Sequence, residues 1–355
     1  MNNLLIHSDN LIGLNYLLEQ GYREKIDLVY IDPPFATGGN FTITNGRTAT
    51  ISNSRHGEIA YSDVLKGTDF INFLRKRLIL IRDLLSDKGS IYLHIDYKIG
   101  HYVKVMMDEI FGIENFRNDI TRIKCNPKNF ERIGFGNVKD LILFYTKTSS
   151  PIWNEPHDKY SERDLEKLFP KKDKNGRRYT TVPIHAPGET EKGTSNQPFK
   201  GIFPPQGRHW RTNVATLEKW DKAGLIEWSS NGNPRKIIYA DERDGKRVQD
   251  IWEYKDPQYP DYPTEKNAKM LDLIIKTSSN ENSIVLDCFC GSGTTLKAAQ
   301  INNRKWIGID KSNIAIQTTK KKINSIKQDL FMTKQDYEVI DLSAEQPNIL
   351  DALYI

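Results

Sequence analysis

The sequence predicts an α/β protein whose open parallel sheet is interrupted by an inserted second domain. Residues 1–150 alternate apolar, strand-like runs with segments of helical periodicity, and the same alternation resumes after Asp261. Between them, residues 151–261 form short segments broken by proline and glycine, and five of the six tryptophans lie there. Alternating strands and helices are typical of parallel sheets, whereas the change of pattern indicates a separate body.

Length and composition agree with two domains. A chain of 355 residues exceeds the usual size of a single domain, and its hydrophobic fraction of 38% is sufficient for a buried core. No apolar run approaches the ~20 residues needed to span a bilayer, and the N-terminus lacks the basic and apolar regions of a secretory signal. We therefore expect a cytoplasmic protein without membrane attachment. The net charge of +5 is compatible with a polyanionic partner but is also common among ordinary enzymes.

The first half contains the predicted elements in strand and helix order. Asp9 and Asn10 precede a helical pattern, and residues 26–31 form an apolar strand that ends at Asp32-Pro33-Pro34-Phe35, since successive prolines cannot continue a ladder. The polar stretch from Thr37 to Ser62 predicts a long mobile loop. The remaining elements predicted here are a helix through Leu74, Leu78, Ile81 and Leu85, a strand over 90–95, a helix over 101–110 and a strand over 141–145.

The second half completes the predicted sheet. A helix over 268–276, a strand over 283–287, a glycine-containing turn, a helix from Thr295 and a strand over 306–310 follow one another. The chain then predicts a helix and a polar tail. The expected division is a discontinuous catalytic domain of residues 1–150 and 262–325, an inserted domain of residues 151–261, and a C-terminal helix and tail of residues 326–355.

The turn Asp287-Cys-Phe-Cys-Gly-Ser-Gly293 lies between a strand and a helix, and Asp310 ends the next strand. This is the layout of a nucleotide-binding β-α-β unit, in which glycines admit the ligand to the backbone and the distal carboxylate accepts ribose hydroxyls. Thr294 follows Gly293 where a phosphate-binding loop would have lysine, so a triphosphate is not the expected ligand. The turn also lacks the spacing of a serine nucleophile elbow.

The cysteines predict neither a disulfide framework nor a metal site. Cys288 and Cys290 flank Phe289 within an apolar segment, and Cys125 is remote from them in sequence. No histidine is placed to activate Cys290, which we therefore interpret as a core residue. We expect no bound metal.

The segment Asp32-Pro33-Pro34-Phe35 meets the requirements of methylation at an exocyclic amine. Such an amine is a poor nucleophile because its lone pair is delocalised into the ring. The Asp32 carboxylate and the Pro33 carbonyl could accept its two hydrogens and free the lone pair for in-line attack, while Phe35 could stack on a base swung out of a duplex. The alternative interpretation is a simple strand terminator.

The two motifs, in this order and with a tryptophan-rich segment between them, resemble the DNA amino-methyltransferases of the circularly permuted β group. The stretches 88–96, 108–112 and 115–116, which include His94, resemble the strand and helix elements of that family, and 262–266 resembles the segment before its glycine turn. Tyr262 stands where the family often has histidine. The resemblance implies a Rossmann-like methyltransferase sheet, S-adenosylmethionine as cofactor and double-stranded DNA as substrate.

The resemblance also implies roles for individual residues. Asp287, Phe289, Gly291, Gly293 and Thr294 would line the cofactor and Asp310 would hold its ribose. Thr264 and Lys266 would approach the carboxylate end of the cofactor. Asp9 would be a further cofactor-side acid, with helix capping as the alternative.

The target implied by the resemblance is adenine N6, because the motif is D-P-P-F rather than S-P-P-Y. Cytosine N4 is the alternative on the same scaffold, and an RNA methyltransferase or an inactive DNA-binding module are the others. Cytosine C5 would need a cysteine after a proline, and none of the three cysteines follows one. A homodimer and a companion restriction endonuclease are left open, as is the recognition sequence.

The inserted segment resembles the target-recognition regions of this family. Its arginines, asparagines and histidines could reach base edges, and its basic residues could contact phosphates. Together with two arginines of the polar loop, which would close over the flipped base, the expected DNA contacts are Arg47, Arg55, Lys171, Lys172, Arg177, Arg178 and Arg208.

Overall fold

We describe the protein from a computed structural model. The structure describes residues 2–33, 40–44, 47–48, 58–62, 67–127, 131, 133–188, 193–257, 265–326 and 336–345. The chain divides into two compact units, one formed by residues 1–156 with 249–355 and the other by residues 157–248. The second unit therefore begins later and ends earlier than the inserted domain predicted over 151–261.

The elements before the inserted unit alternate as predicted. In chain order they are β1 (Asn3–His7), α1 (Asn10–Glu19), β2 (Ile26–Ile31), β3 (Asn40–Thr44), β4 (Arg47–Thr48), β5 (Glu58–Ser62), α2 (Thr68–Leu84), β6 (Leu85–Ile95), α3 (Gly100–Phe111), β7 (Phe116–Ile123) and β8 (Lys139–Thr146). Helix α2 buries the predicted stripe of Leu74, Leu78 and Ile81. Each such side chain contributes about 1.5–3 kcal/mol by leaving water.

The inserted unit has its own strands and core. Its elements are β9 (His157–Asp158), α4 (Glu162–Leu168), β10 (Lys171–Lys172), β11 (Arg178–Pro183), β12 (His185–Pro187), β13 (Arg208–Trp210), α5 (Val214–Lys222), β14 (Ile226–Trp228), β15 (Pro234–Tyr239) and β16 (Lys246–Arg247). Four strands form an antiparallel sheet in the order β10-β11-β15-β14. Ile184, Phe199, Trp210 and Leu217 form the buried cluster of this unit.

The elements after the inserted unit return to the main sheet. They are β17 (Ile251–Trp252), α6 (Ala268–Ser278), β18 (Ile284–Asp287), α7 (Thr294–Ile301), β19 (Lys305–Asp310), α8 (Asn313–Asn324) and β20 (Tyr337–Asp341). The main sheet has the order β17-β7-β8-β6-β2-β18-β19-β1-β20. All its neighbours pair in parallel except at β8, which is antiparallel to β6 and β7.

The strand order places helices on both faces of this sheet. The connections through α1, α2 and α3 cross the sheet towards β7, whereas those through α6, α7 and α8 cross it towards β20. Because crossovers between parallel strands are right-handed, the two sets lie on opposite faces. Contacts between α1 and α2, α2 and α3, α6 and α7, and α7 and α8 agree with this assignment. The prediction of a Rossmann-like open sheet is confirmed.

The direction of the connections reverses between β2 and β18, which pair through Leu28 with Val285 and Val29 with Leu286. In open α/β sheets, ligands bind outside the carboxyl ends of the strands at such a switch point. The residues at this point are Asp32 after β2 and the turn after β18. The topology therefore places both predicted motifs at adjacent strand ends.

The predictions for two segments of the main unit are wrong. Residues 337–341 do not belong to a polar tail but form β20, which pairs in parallel with β1, because an edge strand can remain polar while its backbone completes the ladder. The stretch from Thr37 to Ser62 is not a continuous loop. It contains β3, β4 and β5, which pair as an antiparallel sheet whose threonines, isoleucines and phenylalanine favour strands. The predicted mobility of the remaining loop residues lies outside the described residues.

The sheet also departs from the predicted all-parallel arrangement. Strand β8 runs antiparallel, and β7 and β17, which were not predicted as strands, extend the sheet beyond it. Across the described ranges, no helix combines the length and apolar character that a membrane span requires.

Candidate active site

The turn after β18 depends on two glycines with positive φ. Gly291 has φ of 48° and Gly293, which precedes α7, has φ of 75°. A Cβ at position 293 would lie 2.7 Å from the Thr319 side chain, so only glycine fits there without displacing α8. The Asp310 carboxylate accepts hydrogen bonds from the backbone N–H groups of Gly291 and Ser312, both at 2.9 Å. Asp310 therefore holds the turn at the end of the neighbouring strand.

Asp287 is a buried acid at the end of β18. Its Oδ1 accepts a hydrogen bond from the backbone N–H of Phe289 at 3.0 Å. Burial, together with the nearby charges of Asp32 and Asp310, raises the pKa of Asp287 to about 7, although hydrogen bonds with Thr295 and Phe289 act in the opposite direction. The carboxyl groups of Asp32, Asp287 and Asp310 thus lie near one another at the ends of β2, β18 and β19.

Replacing Asp287 with asparagine is expected to stabilise the protein in a pH-dependent way. The raised pKa means that the folded protein keeps this proton after the unfolded chain has lost it, so the stability contribution falls as pH rises from about 4 to about 7. Asparagine mimics the protonated acid. The gain in the free energy of unfolding should therefore be small near pH 4 and about 2–4 kcal/mol at pH 8. Urea unfolding at both pH values measures it.

The matched control is Asp341→Asn, at the exposed end of β20. Its pKa is lowered to about 2, by hydrogen bonds from Ser343 and an interaction with His7, so its replacement should give no gain that grows with pH. A gain for Asp287→Asn of the same size at pH 4 and pH 8 would show that Asp287 does not titrate in this window.

Asp32 follows β2 directly and keeps part of its carboxylate accessible. Its Oδ2 lies 2.6 Å from Lys266 Nζ, and the two side chains are 17% and 11% exposed. Its Oδ1 lies 3.9 Å from His94 Nδ1. The neighbouring Pro33 is buried, whereas Pro34, Phe35 and Thr264 lie outside the described residues. In the structure Lys266 pairs with an acid of the protein itself, and its predicted approach to the carboxylate end of the cofactor stays a prediction.

A buried cluster lies behind Asp32. His94 of β6 places Nε2 3.1 Å from Asp140 Oδ2 at the start of β8, and its Nδ1 is 3.0 Å from the Tyr30 hydroxyl. Asp140 is also 3.6 Å from Arg122 Nη1 and 3.7 Å from Lys124 Nζ. Sequence reasoning did not assign this cluster. A histidine between Leu93 and Ile95, in an otherwise apolar buried strand, was the available signal.

Asp9 lies just after β1, which pairs with β19 in the main sheet. It caps α1 by accepting a hydrogen bond from the Leu11 backbone N–H at 2.8 Å, which agrees with the capping alternative. The buried Arg77 of α2 donates to Asp9 Oδ1 at 3.0 Å and also bonds Asn10. Asn10 in turn donates to the Cys288 carbonyl at 3.2 Å. Arg77, which the sequence did not single out, therefore connects α1 and α2 with the glycine turn.

Thr294 and the segment before α6 meet in a second polar cluster. Thr294 Oγ1 donates to Glu265 Oε1 at 3.3 Å, and Lys322 of α8 pairs with the same carboxylate. Lys322 Nζ also donates to Ser292 Oγ and Thr294 Oγ1, each at 3.0 Å. The cluster ties residue 265, just before Lys266, to the start of α7.

The cysteines of the turn are both buried in the core. Burial raises the pKa of both Cys288 and Cys290, so both remain thiols. Among the residues that the structure describes, no group of acidic, histidine or cysteine side chains could hold a metal ion.

The predicted DNA-contacting residues of the inserted unit differ in their surroundings. Arg177 is bonded to Asp241 at 2.8 Å and Glu242 at 3.0 Å, and Lys171 pairs with Glu227. Arg178 lies 3.9 Å from Glu166, Arg208 donates to His185 at 3.2 Å, and Lys172 is exposed. The side chain of Arg47 and all of Arg55 lie outside the described residues. Contact of any of these residues with phosphate stays a prediction.

Comparison with known proteins relates this site to one family. Residues 26–321 match a family model described as DNA methylase. The Type II methyltransferase M.EcaI of Enterobacter cloacae is 42% identical over 326 residues, which cover 90% of this chain and 69% of that protein.

More distant similarities extend over the same region. The Mod subunit of the type III restriction-modification enzyme StyLTI of Salmonella typhimurium is 27% identical over 86% of this chain, which spans about half of that subunit, 50% of its length. A solved structure of the M1.HpyAVI–SAM complex is 17% identical, with a TM-score of 0.48 over 90% of this chain and 99% of that one.

Proposed function

This chain belongs to the DNA methylase family, and we propose that it transfers the methyl group of S-adenosylmethionine to adenine N6 in duplex DNA. The observation that carries the proposal is the adjacency of Asp32 to the turn of residues 287–293 at the switch point of the sheet. One motif supplies an acceptor for an amine and the other a site for a nucleotide-like cofactor. The two motifs are far apart in the sequence but adjacent in the fold.

The residues of the turn fit S-adenosylmethionine. The cofactor carries a positive sulfonium and amino group, and the buried Asp287, whose pKa is about 7, offers a charge that a cation would stabilise. Asp310 has an oxygen pair at the end of β19 suited to two ribose hydroxyls, and Gly291 and Gly293 leave the backbone open to approach. When bound, the cofactor supplies an electrophilic methyl group.

Asp32 would act on the other reactant. Its carboxylate accepts a hydrogen of the exocyclic amine, and the Pro33 carbonyl accepts the other, so that the nitrogen lone pair turns towards the methyl group. Lys266 Nζ, at 2.6 Å from Oδ2, orients this carboxylate before the amine arrives. Stacking of Phe35 on the flipped base completes the proposed arrangement.

The choice of adenine rests on the D-P-P-F form of the motif, and cytosine N4 is the alternative on the same geometry.

We further propose that residues 157–248 recognise the DNA target. Lys172, which is exposed, is a candidate for phosphate contact. Similarity to M.EcaI and to a restriction-modification Mod subunit supports a companion endonuclease as a partner.

The test is to incubate the purified chain with methyl-labelled S-adenosylmethionine and duplex DNA of mixed sequence, and to digest the DNA to nucleosides. We expect label in N6-methyldeoxyadenosine. Label in N4-methyldeoxycytidine would replace the proposed base, and transfer to competing RNA in preference to DNA would replace the substrate. Absence of transfer together with measurable cofactor binding would indicate an inactive DNA-binding protein.

A further inference from the structure

The residues of the cluster behind Asp32 are arranged in a row, as the groups of a proton relay are. The His94 ring lies between two acids, with Nε2 3.1 Å from Asp140 Oδ2 and Nδ1 3.9 Å from Asp32 Oδ1. The His94 side chain is fully buried and the Asp140 side chain is 3% exposed, whereas Asp32 is the member accessible from the site. The ring thus connects the accessible carboxylate with an interior one.

The charge state of Asp140 determines the tautomer of His94. Burial alone would raise the pKa of Asp140, but the hydrogen bond from His94 and the charges of Lys124 and Arg122 lower it to about 2. Asp140 is therefore ionised and can only accept a hydrogen bond, so the hydrogen of His94 resides on Nε2. Nδ1 keeps its lone pair and lies 3.0 Å from the Tyr30 hydroxyl and 3.9 Å from Asp32 Oδ1.

His94 is held in its neutral form by its surroundings. Burial lowers its pKa, the hydrogen bond to Asp140 opposes this, and Lys266 lowers it further. Four charged or titratable groups face the ring. Tyr30 belongs to β2 and Asp32 follows that strand, whereas Asp140 belongs to β8 and Lys266 lies in the segment before α6. Arg122 of β7 and Lys124, the residue after β7, act on it through Asp140.

Methylation of an amine requires such an acceptor. As the N–C bond forms and the C–S bond breaks, the nitrogen becomes positively charged and must lose one of its two protons, which the hydrogen-bonded Asp32 receives. A neutral Asp32 can no longer bind the next amine as an anion. The proton must therefore leave Asp32 in each turnover.

We propose that His94 is a positioning residue that takes this proton from Asp32 at Nδ1 while its Nε2–H remains paired with the Asp140 carboxylate. The inference rests on the proposed function and assigns a route for its proton. The resulting imidazolium lies between two carboxylates, and the proton returns to solvent through Asp32 after the methylated base has left. The 3.9 Å separation shortens by about 1 Å when the substrate is bound, as catalytic hydrogen bonds commonly do.

The test uses His94→Gln, since glutamine can hydrogen-bond both acids but cannot carry a proton between them. We expect the single-turnover methylation rate to fall by about 100-fold, while the dissociation constants for DNA and cofactor stay within about threefold. The wild-type rate should rise with pH as His94 loses its proton and then level off, and this limb should be lost in the variant. A merely structural role would leave the limb in place.

Two further variants distinguish a loss of proton transfer from a loss of folding. Asp140→Asn, which keeps the size of the side chain, should weaken the Nε2–H tautomer and slow the single turnover about tenfold or more. Tyr92→Phe is the control, because it removes a comparable buried hydrogen bond, 2.8 Å to Ser278, from the same strand without contacting Asp32 or His94. It should keep the wild-type rate, and all variants are checked by thermal unfolding.

A measurement without catalysis separates this inference from the proposed function. Nitrogen NMR of histidine-labelled protein should show the Nε2–H tautomer for His94, assigned among the seven histidines by its loss in His94→Gln. Its Nδ1 signal should shift in Asp32→Asn. If the wild-type chain methylates no DNA, the proposed function fails, and an Nδ1–H tautomer or an Nδ1 signal indifferent to Asp32→Asn overturns the relay by itself. In an active enzyme, a His94→Gln rate within threefold of wild type also overturns it.

Discussion

Asp32→Ala is expected to lower the single-turnover methylation rate by ~100-fold or more, with the cofactor dissociation constant nearly unchanged. The carboxylate acts on the amine and not on the methyl donor, so its loss removes an acceptor that is needed in the transition state. Lys266 Nζ, 2.6 Å from Oδ2, then loses its acidic partner and cannot take over acceptance of a hydrogen. Rapid-quench measurements with saturating DNA and cofactor isolate this step.

The chain offers a matched control at the end of the next strand. Asp96 follows β6 as Asp32 follows β2, and it accepts a hydrogen bond from the Lys98 backbone N–H at 2.8 Å. Asp96→Ala should reduce the rate by no more than about threefold, because its carboxylate belongs to a local turn. Turnover of Asp32→Ala at the rate of Asp96→Ala would refute the assignment of Asp32 to catalysis.

Asp310→Ala is expected to weaken cofactor binding by about 100-fold or more. A charged acceptor contributes about 1.5–3 kcal/mol to each hydrogen bond, and two ribose hydroxyls would lose it together. The same carboxylate holds the backbone N–H groups of Gly291 and Ser312 at 2.9 Å, so the glycine turn would also lose its anchor. Isothermal titration with S-adenosylmethionine measures the effect directly.

Two variants separate the ribose contact from the anchoring of the turn. Asp310→Asn retains one acceptor oxygen and should lose less affinity than alanine. Asp341→Ala removes the acid that pairs in register with His7 on the opposite side of β1 from Asp310, and it should leave the affinity unchanged. An unchanged dissociation constant for Asp310→Ala would place the ribose acid elsewhere.

The parts of the site that follow from local sequence were predicted, and those that depend on distant pairing were not. Asp32, Asp287 and Asp310 each end an apolar strand, and the carboxyl ends of parallel strands meet at one edge of a sheet. Asp140 lies at the same edge for a different reason. It begins β8, whose antiparallel direction no pattern within residues 141–145 reveals.

The same distinction applies to the fold. Strand β20 was missed because its residues are largely exposed, and its pairing with β1 is fixed by a partner at the other end of the chain. The side chain of Arg77 lies on the apolar stripe of α2, where composition alone suggests a polar interruption. Only the positions of Asp9 and Asn10 in the fold show why a buried arginine is stabilised there.

The placement of β18 at the centre of the sheet has a consequence for how the protein is made. One edge of β2 pairs with β18, and β1 lies between β19 and β20. These early strands therefore pair with segments that are synthesised only after the inserted unit. Closing such long loops costs entropy before the new pairing offsets it. We therefore expect the central pairing to be a late step in folding. Until residues 284–310 have emerged, the nascent chain exposes apolar strand edges, which favour aggregation. We expect chaperones to assist folding at this stage.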